Sequence, residues 1–161
     1  MDQSQEHTSA VYEAVRVPAM EARLQMLMQG SHEIPSSIEI YGCTRPVPGE
    51  APEEPPIVSI DLREEAGAVE DEIENSVRKV RLRITTPIEK RVQDIGDPEG
   101  AEPSWARIKT PTGDWWADIS VSVEGEGGEL QLEQTGTENG QPIAKLFDNS
   151  FARISNFVIE G

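Results

Sequence analysis

Hydrophobic positions change period once, early in the chain. Between Val11 and Gln29, apolar side chains recur at helical spacing. Val17, Met20, Leu24 and Leu27 follow i, i+3, i+7, i+10 and form one stripe, with Arg16, Glu21, Arg23, Gln25 and Gln29 mostly elsewhere. This predicts a helix within residues 11–30. Pro18 suits a first turn, where its missing N–H costs nothing, so the helix proper is expected to begin near Val17, with Gly30 as its stop. The stripe has two readings: a helix packed over the chain's own sheet, or an arm that docks on a neighbouring subunit. Met20, Met26 and Met28 would fill gaps adaptably in either.

From Ser37 onward the period is two. Ile38 and Ile40 alternate with Glu39 and Tyr41, and Val58, Ile60 and Leu62 repeat the pattern. Between them, residues 46–56 carry five prolines and three glutamates and read as an extended surface loop. Residues 63–76 read as a short acidic helix or a loop. In the strand that follows, Val80, Leu82 and Ile84 share one face and Lys79, Arg81 and Arg83 the other. That basic face would be solvated, or would pair with the preceding acids or a neighbouring subunit. Residues 87–103 look like an irregular connection.

The last third carries the clearest β signal. Ser104 to Lys109 and Trp115 to Val123 flank a Thr-Pro-Thr-Gly-Asp turn, which predicts a hairpin. Further turns at 125–128 and 139–140 separate strands at 130–132, 143–147 and 151–159. The fold class expected is mainly β: an antiparallel β-sandwich or barrel of about seven or eight strands with one N-terminal α-helix. Residues 1–10 are expected to be a flexible polar arm and 11–161 a single β-rich domain.

Composition narrows the function. Thirty acidic residues against fourteen basic ones give a net charge of −16. Such a chain repels nucleic acid and anionic membranes, so neither is an expected partner. One cysteine, Cys43, precludes an intrachain disulfide. The N-terminus lacks a basic segment followed by an apolar run, and no stretch approaches bilayer-spanning length.

Candidate chemistry is sparse. The two histidines, His7 and His32, and Cys43 do not form a recognisable nucleophile–base motif. One cysteine and two histidines fall short of a structural zinc site. Glu64, Glu65, Glu70, Asp71, Glu72 and Glu74 are dense enough to attract calcium but lack the spacing of a calcium loop. The expectation is therefore no enzyme activity, no metal and no cofactor. Alternation along 115–123 places Trp115 with Ala117, Ile119, Val121 and Val123 toward the core, and Trp116 with Asp118 outward. An outward Trp116 would be covered by a loop or helix, anchor an interface, or stack on a sugar ring. Val17, Met20, Leu24, Arg81, Arg83 and Trp116 are the candidate interface residues.

Two segments carry a resemblance. A helix runs into Ile38-Glu39-Ile40-Tyr41-Gly42-Cys43-Thr44-Arg45-Pro46, and Trp105-Ala106-Arg107-Ile108 is followed by a turn and Trp116-Ala117-Asp118-Ile119-Ser120-Val121. A closing strand, Phe151 to Ile159, completes the order. This arrangement resembles short virion proteins of tailed bacteriophages and prophages, over about half the chain. Cys43 stands where the group has Gly or Thr, and 46–103 is longer and more charged. The resemblance implies a non-enzymatic particle component: an accessory tail-tip or baseplate protein, or a capsid decoration protein. Its partners would be other virion proteins in a multi-copy assembly, and its location the virion, after synthesis in the host cytoplasm. The alternative is a carbohydrate-binding module acting at a host surface.

Overall fold

The computed structural model describes residues 10–28, 34–62, 67–74 and 77–160. The expected polar arm falls outside these residues apart from Ala10, as do His7, Gly30 and His32. A π-helical turn, Tyr12–Arg16, leads into α1, Val17–Met28, so the helix begins where Pro18 fits its first turn. The stripe faces inward. Met20 and Leu27 are buried, and Val17 and Leu24 pack against the same core. Ser36 Oγ donates to the Leu27 carbonyl at 2.8 Å, so the last turn of α1 is tied to the first strand.

The strands are β1 (Ser36–Tyr41), β2 (Val58–Leu62), β3 (Gly67–Glu74), β4 (Val77–Ile84), β5 (Ile88–Arg91), β6 (Trp105–Lys109), β7 (Trp115–Val123), β8 (Leu130–Leu132), β9 (Gly136–Glu138), β10 (Gln141–Ile143) and β11 (Phe151–Glu160). Eight of them follow the order β2-β1-β6-β7-β8-β11-β4-β3, and β5 pairs the first half of β11. The sheet curls into a half-barrel, and β9 with β10 forms a small separate sheet. The mainly β fold with one N-terminal helix is the one expected.

Alternation explains the core. Ile38 and Ile40 of β1, Ala106 and Ile108 of β6, Leu130 and Leu132 of β8, and Ile154 of β11 point into the concave side, where α1 lies, and a register shift between Ile154 and Asn156 brings Phe157 and Ile159 to the same side. Each such side chain contributes about 1.5–3 kcal/mol by leaving water. One cluster of buried residues spans the helix and the sheet.

Four details depart from the sequence reading. First, β7 and β8 are parallel, with Val121 opposite Leu130 and Val123 opposite Leu132. Parallel neighbours ordinarily need a long crossover. Here the overlap is three residues, so the chain runs back only about 7–10 Å at strand rise, and residues 124–129 suffice. Second, the acidic segment is a strand. β3 pairs with β4 along its whole length, from Gly67 opposite Ile84 to Glu74 opposite Val77. Third, the connection 87–103 contains β5. Fourth, the penultimate strand is β10, at 141–143. Beyond it, Leu146 makes only an isolated bridge to Ala101. The Asn139-Gly140 turn stands as expected, both residues having positive φ.

Candidate functional site

The convex face of β1, β6 and β7 is built from the alternate residues of the same strands. Tyr41 stacks on Trp105 with ring centroids 4.4 Å apart. Arg107 grips Asp118 in a two-point clamp, Nε to Oδ1 at 2.7 Å and the second guanidinium nitrogen to Oδ2 at 2.9 Å. Both side chains are almost fully enclosed, at 6% and 1% exposure. Hydrogen bonding to Asp118 raises the Arg107 pKa above its ordinary value, so the guanidinium stays charged. Lys109 reaches Glu39 at 2.8 Å, and the Tyr41 hydroxyl donates to the other Glu39 oxygen at 2.6 Å. Burial, and then that hydrogen bond, push the Tyr41 phenol well above the usual tyrosine range.

The proline-rich loop is strapped over this face. Arg107 donates to the Glu50 carbonyl at 2.8 Å, Trp105 Nε1 to the Cys43 carbonyl at 2.9 Å, and Arg45 to the Asp118 carbonyl. Gly42 lets the strap lie close, because a Cβ there would stand 2.9 Å from the Glu102 carbonyl oxygen. Cys43 is half-buried and contributes its carbonyl here. Alternation had already placed Asp118 on the non-core face. That Arg107 would meet it, and that loop 46–56 would close over both, depends on the hairpin register and on contacts distant in sequence.

The tryptophans exchange the places expected of them. The ladder between β6 and β7 shifts between Ile108 and Lys109: Ile108 faces Ala117 but Lys109 faces Trp115. Trp116 is the extra residue of a bulge. It packs against the core, with the Arg23 guanidinium of α1 5.0 Å above its ring. Trp115 is turned outward beside Lys109 and is 45% exposed. Trp116 is therefore partly buried against the chain's own core, and Trp115 is the more exposed of the two. Val17, Met20 and Leu24 likewise pack against the chain's own core.

The third region is the hairpin of β3 and β4. Its outer face is a ladder of opposite charges. Arg83 binds Glu70 at 2.8 Å and the Asn156 side-chain oxygen at 3.1 Å, while Arg81 lies 3.5 Å from Glu72 and 3.2 Å from Glu160. The basic face predicted on β4 is thus answered by the preceding acidic segment. A groove of about 550 Å³ runs between Arg81 and Arg83 on one side and residues 127–129 on the other, with Asn156 and Val158 in its floor. β4 pairs with β11 only through Arg81–Arg83, so the far half of the hairpin projects beyond the sheet. β3 ends the strand order, with β4 as its one strand partner among the described residues. Ile73 near its tip is 77% exposed.

Of the acids considered for calcium, Glu64 and Glu65 lie outside the described residues. Glu70 and Glu72 share one face of β3 with their arginines, and Asp71 points to the other. Among the described residues, no group of three His, Cys, Asp or Glu is placed to hold a metal ion, and no helix is long and apolar enough to cross a membrane. No family model, curated protein or solved structure matches the chain.

Proposed function

We propose that this chain is a structural component of a tailed-phage virion, an accessory tail-tip or baseplate protein that performs no catalysis and joins the particle through contacts with other virion proteins. The observation that carries the reading is the hairpin of β3 and β4, which ends the strand order of the half-barrel among the described residues and runs on beyond its pairing with β11. A hairpin at the margin of a sheet is a feature that protein–protein interfaces use. The clamped strap and the helix-filled concave side supply a stiff body from which such a hairpin can be held out. The helix, strand and hairpin resemblance supports the same reading.

The test is mass spectrometry of purified particles after separation of heads from tails. The chain is expected in the tail fraction at fixed stoichiometry. Recovery with heads would make it a capsid decoration protein, and absence from both fractions would overturn the virion assignment.

A second reading has one observation in its favour. Trp115 is an exposed indole flanked by the Lys109/Glu39 pair and by Thr112 hydrogen-bonded to Asp114, a polar surround suited to a stacked sugar ring. Quenching of tryptophan fluorescence by host glycans, lost in Trp115→Ala and retained in Trp115→Phe, would support a carbohydrate-binding role at the host surface.

A further inference from the structure

We propose that Asn139 is a site of spontaneous covalent modification, at which the side-chain amide is lost through attack by the Gly140 backbone nitrogen and replaced by a carboxylate. The inference stands independently of the assembly reading above.

The chemistry balances with water as co-reactant. Base removes the Gly140 amide proton, and the nitrogen attacks Cγ of Asn139. A bond from the Gly140 nitrogen to Cγ forms, the bond from Cγ to Nδ2 breaks, and ammonia leaves with the proton. The product is a cyclic succinimide. Water then opens the ring. Cleavage of the new bond leaves aspartate, and cleavage of the old peptide bond leaves isoaspartate, whose chain runs through Cγ. In both products ammonia has been exchanged for water and a negative charge gained.

Three observations point to this residue. The attacking nitrogen is bare: Gly140 has no side chain to shield it, a Cβ there would meet nothing within 4 Å, and its N–H donates to no backbone group among the described residues. The leaving amide is unheld, because Asn139 is exposed and no hydrogen bond engages its side chain among the described residues. The turn closes a weak element. β9 and β10 share three residue pairs and form a sheet of their own, and a lone two-stranded hairpin is marginally stable in water. That weakness matters because both turn residues have positive φ, and ring closure requires Asn139 to leave that conformation. The frequency of local opening therefore sets the rate.

The other described asparagines lack these conditions. Asn149 also has positive φ, but its Oδ1 accepts from Arg91 at 2.8 Å and its Nδ2 donates to Asp148 at 2.9 Å. The nitrogen that would attack it, that of Ser150, donates to the Phe147 carbonyl at 3.0 Å. Asn156 lies within β11, with its Oδ1 on Arg83 and the fully buried Phe157 after it.

The modification has two consequences. A carboxylate appears beside Glu138 in a chain already rich in acids. Isoaspartate also adds a backbone carbon to a two-residue turn whose length sets the register of β9 against β10, so that form loosens the small sheet.

The test incubates the full chain in heavy-oxygen water at mildly alkaline pH, beside the synthetic peptide Thr-Glu-Asn-Gly-Gln-Pro, with peptide mapping by mass spectrometry. Heavy oxygen is expected at residue 139 as both aspartate and isoaspartate, more slowly than in the peptide. Conversion at Asn149 and Asn156 should be slower again by about tenfold or more. Amide exchange across residues 136–143 should be faster in the isoaspartyl form than in fresh protein, and unchanged in Asn139→Asp, which carries the charge alone. Asn139 left intact after the peptide has converted completely, or equal conversion at Asn149, would overturn the site. Unchanged exchange in the isoaspartyl form would overturn the loosening of the hairpin.

Discussion

Arg107 and Asp118 are the two charged residues buried among those described, and their energetics follow from being paired in both senses. Removing either partner strands a charge away from water, which costs about 3–5 kcal/mol. Asp118→Ala and Arg107→Met should each lower the unfolding free energy by that amount in urea titrations. The combined Arg107→Met/Asp118→Leu protein should recover most of it if packing is preserved. A double variant as unstable as either single one would mean that the strap, held through the Glu50 and Asp118 carbonyls, is the larger contributor. Tyr41 gives a prediction in pH. Its folded pKa lies above its unfolded value near 10, because burial and the bond to Glu39 favour the neutral phenol. Its stabilisation is therefore complete below pH 10 and is lost as pH rises from there toward the folded value. Absorbance titration in a Tyr12→Phe background should show Tyr41 ionising only as the fold gives way. An ordinary titration near 10 with the fold intact would contradict the burial.

At the scale of elements, the bulge in β7 decides which tryptophan is structural. Trp116 fills space between the sheet and α1, so Trp116→Ala should cost about 3–5 kcal/mol. Trp115→Ala should change stability by less than about 1 kcal/mol, as for other exposed positions. Thermal melts of the two variants settle the assignment, and the reverse order would mean that the ladder is regular through this point. The same element shows how far periodicity reads. From Ala117 to Val123 the alternation places every core residue correctly, since a bulge disturbs facing only where it inserts. The hairpin of β3 and β4 shows the converse. Its first strand looked like a loop or helix because three of its eight residues are Glu and a fourth is Asp. Its strand state comes from the basic strand beside it, and β-propensity is set largely by such neighbours.

For the molecule as a whole, charge is unevenly placed. The connections that leave the β1 and β11 end of the barrel, residues 42–57, 92–104, 124–129 and 133–150, hold thirteen acidic residues and only Arg45 and Lys145 as basic ones. Both cations are engaged, Arg45 on the Asp118 carbonyl and Lys145 3.8 Å from Glu102. Close acids repel, and exposed repulsion is screened by salt over a Debye length of about 8–10 Å near 0.15–0.1 M. The melting temperature should therefore rise between 20 mM and 0.5 M sodium chloride. A fall would mean that surface pairs such as Arg153 with Glu89 and Glu133 outweigh the crowding of acids. The hairpin of β3 and β4 lies at the opposite end, away from this rim.

The amino-acid sequence by itself determined the helix start near Val17, the apolar stripe of α1, the faces of β1, β2 and β4, and the turns at 110–114 and 139–140. Each is a local consequence of side-chain period or of backbone freedom, and needs no knowledge of distant residues. Only the tertiary structure decided the rest. It paired an acidic strand with a basic one, ran β8 parallel to β7, closed a proline-rich loop over Arg107 and Asp118, and turned Trp115 rather than Trp116 to the outside. These depend on register and on long-range contacts, which periodicity does not encode because a shift of one residue exchanges the two faces of a strand.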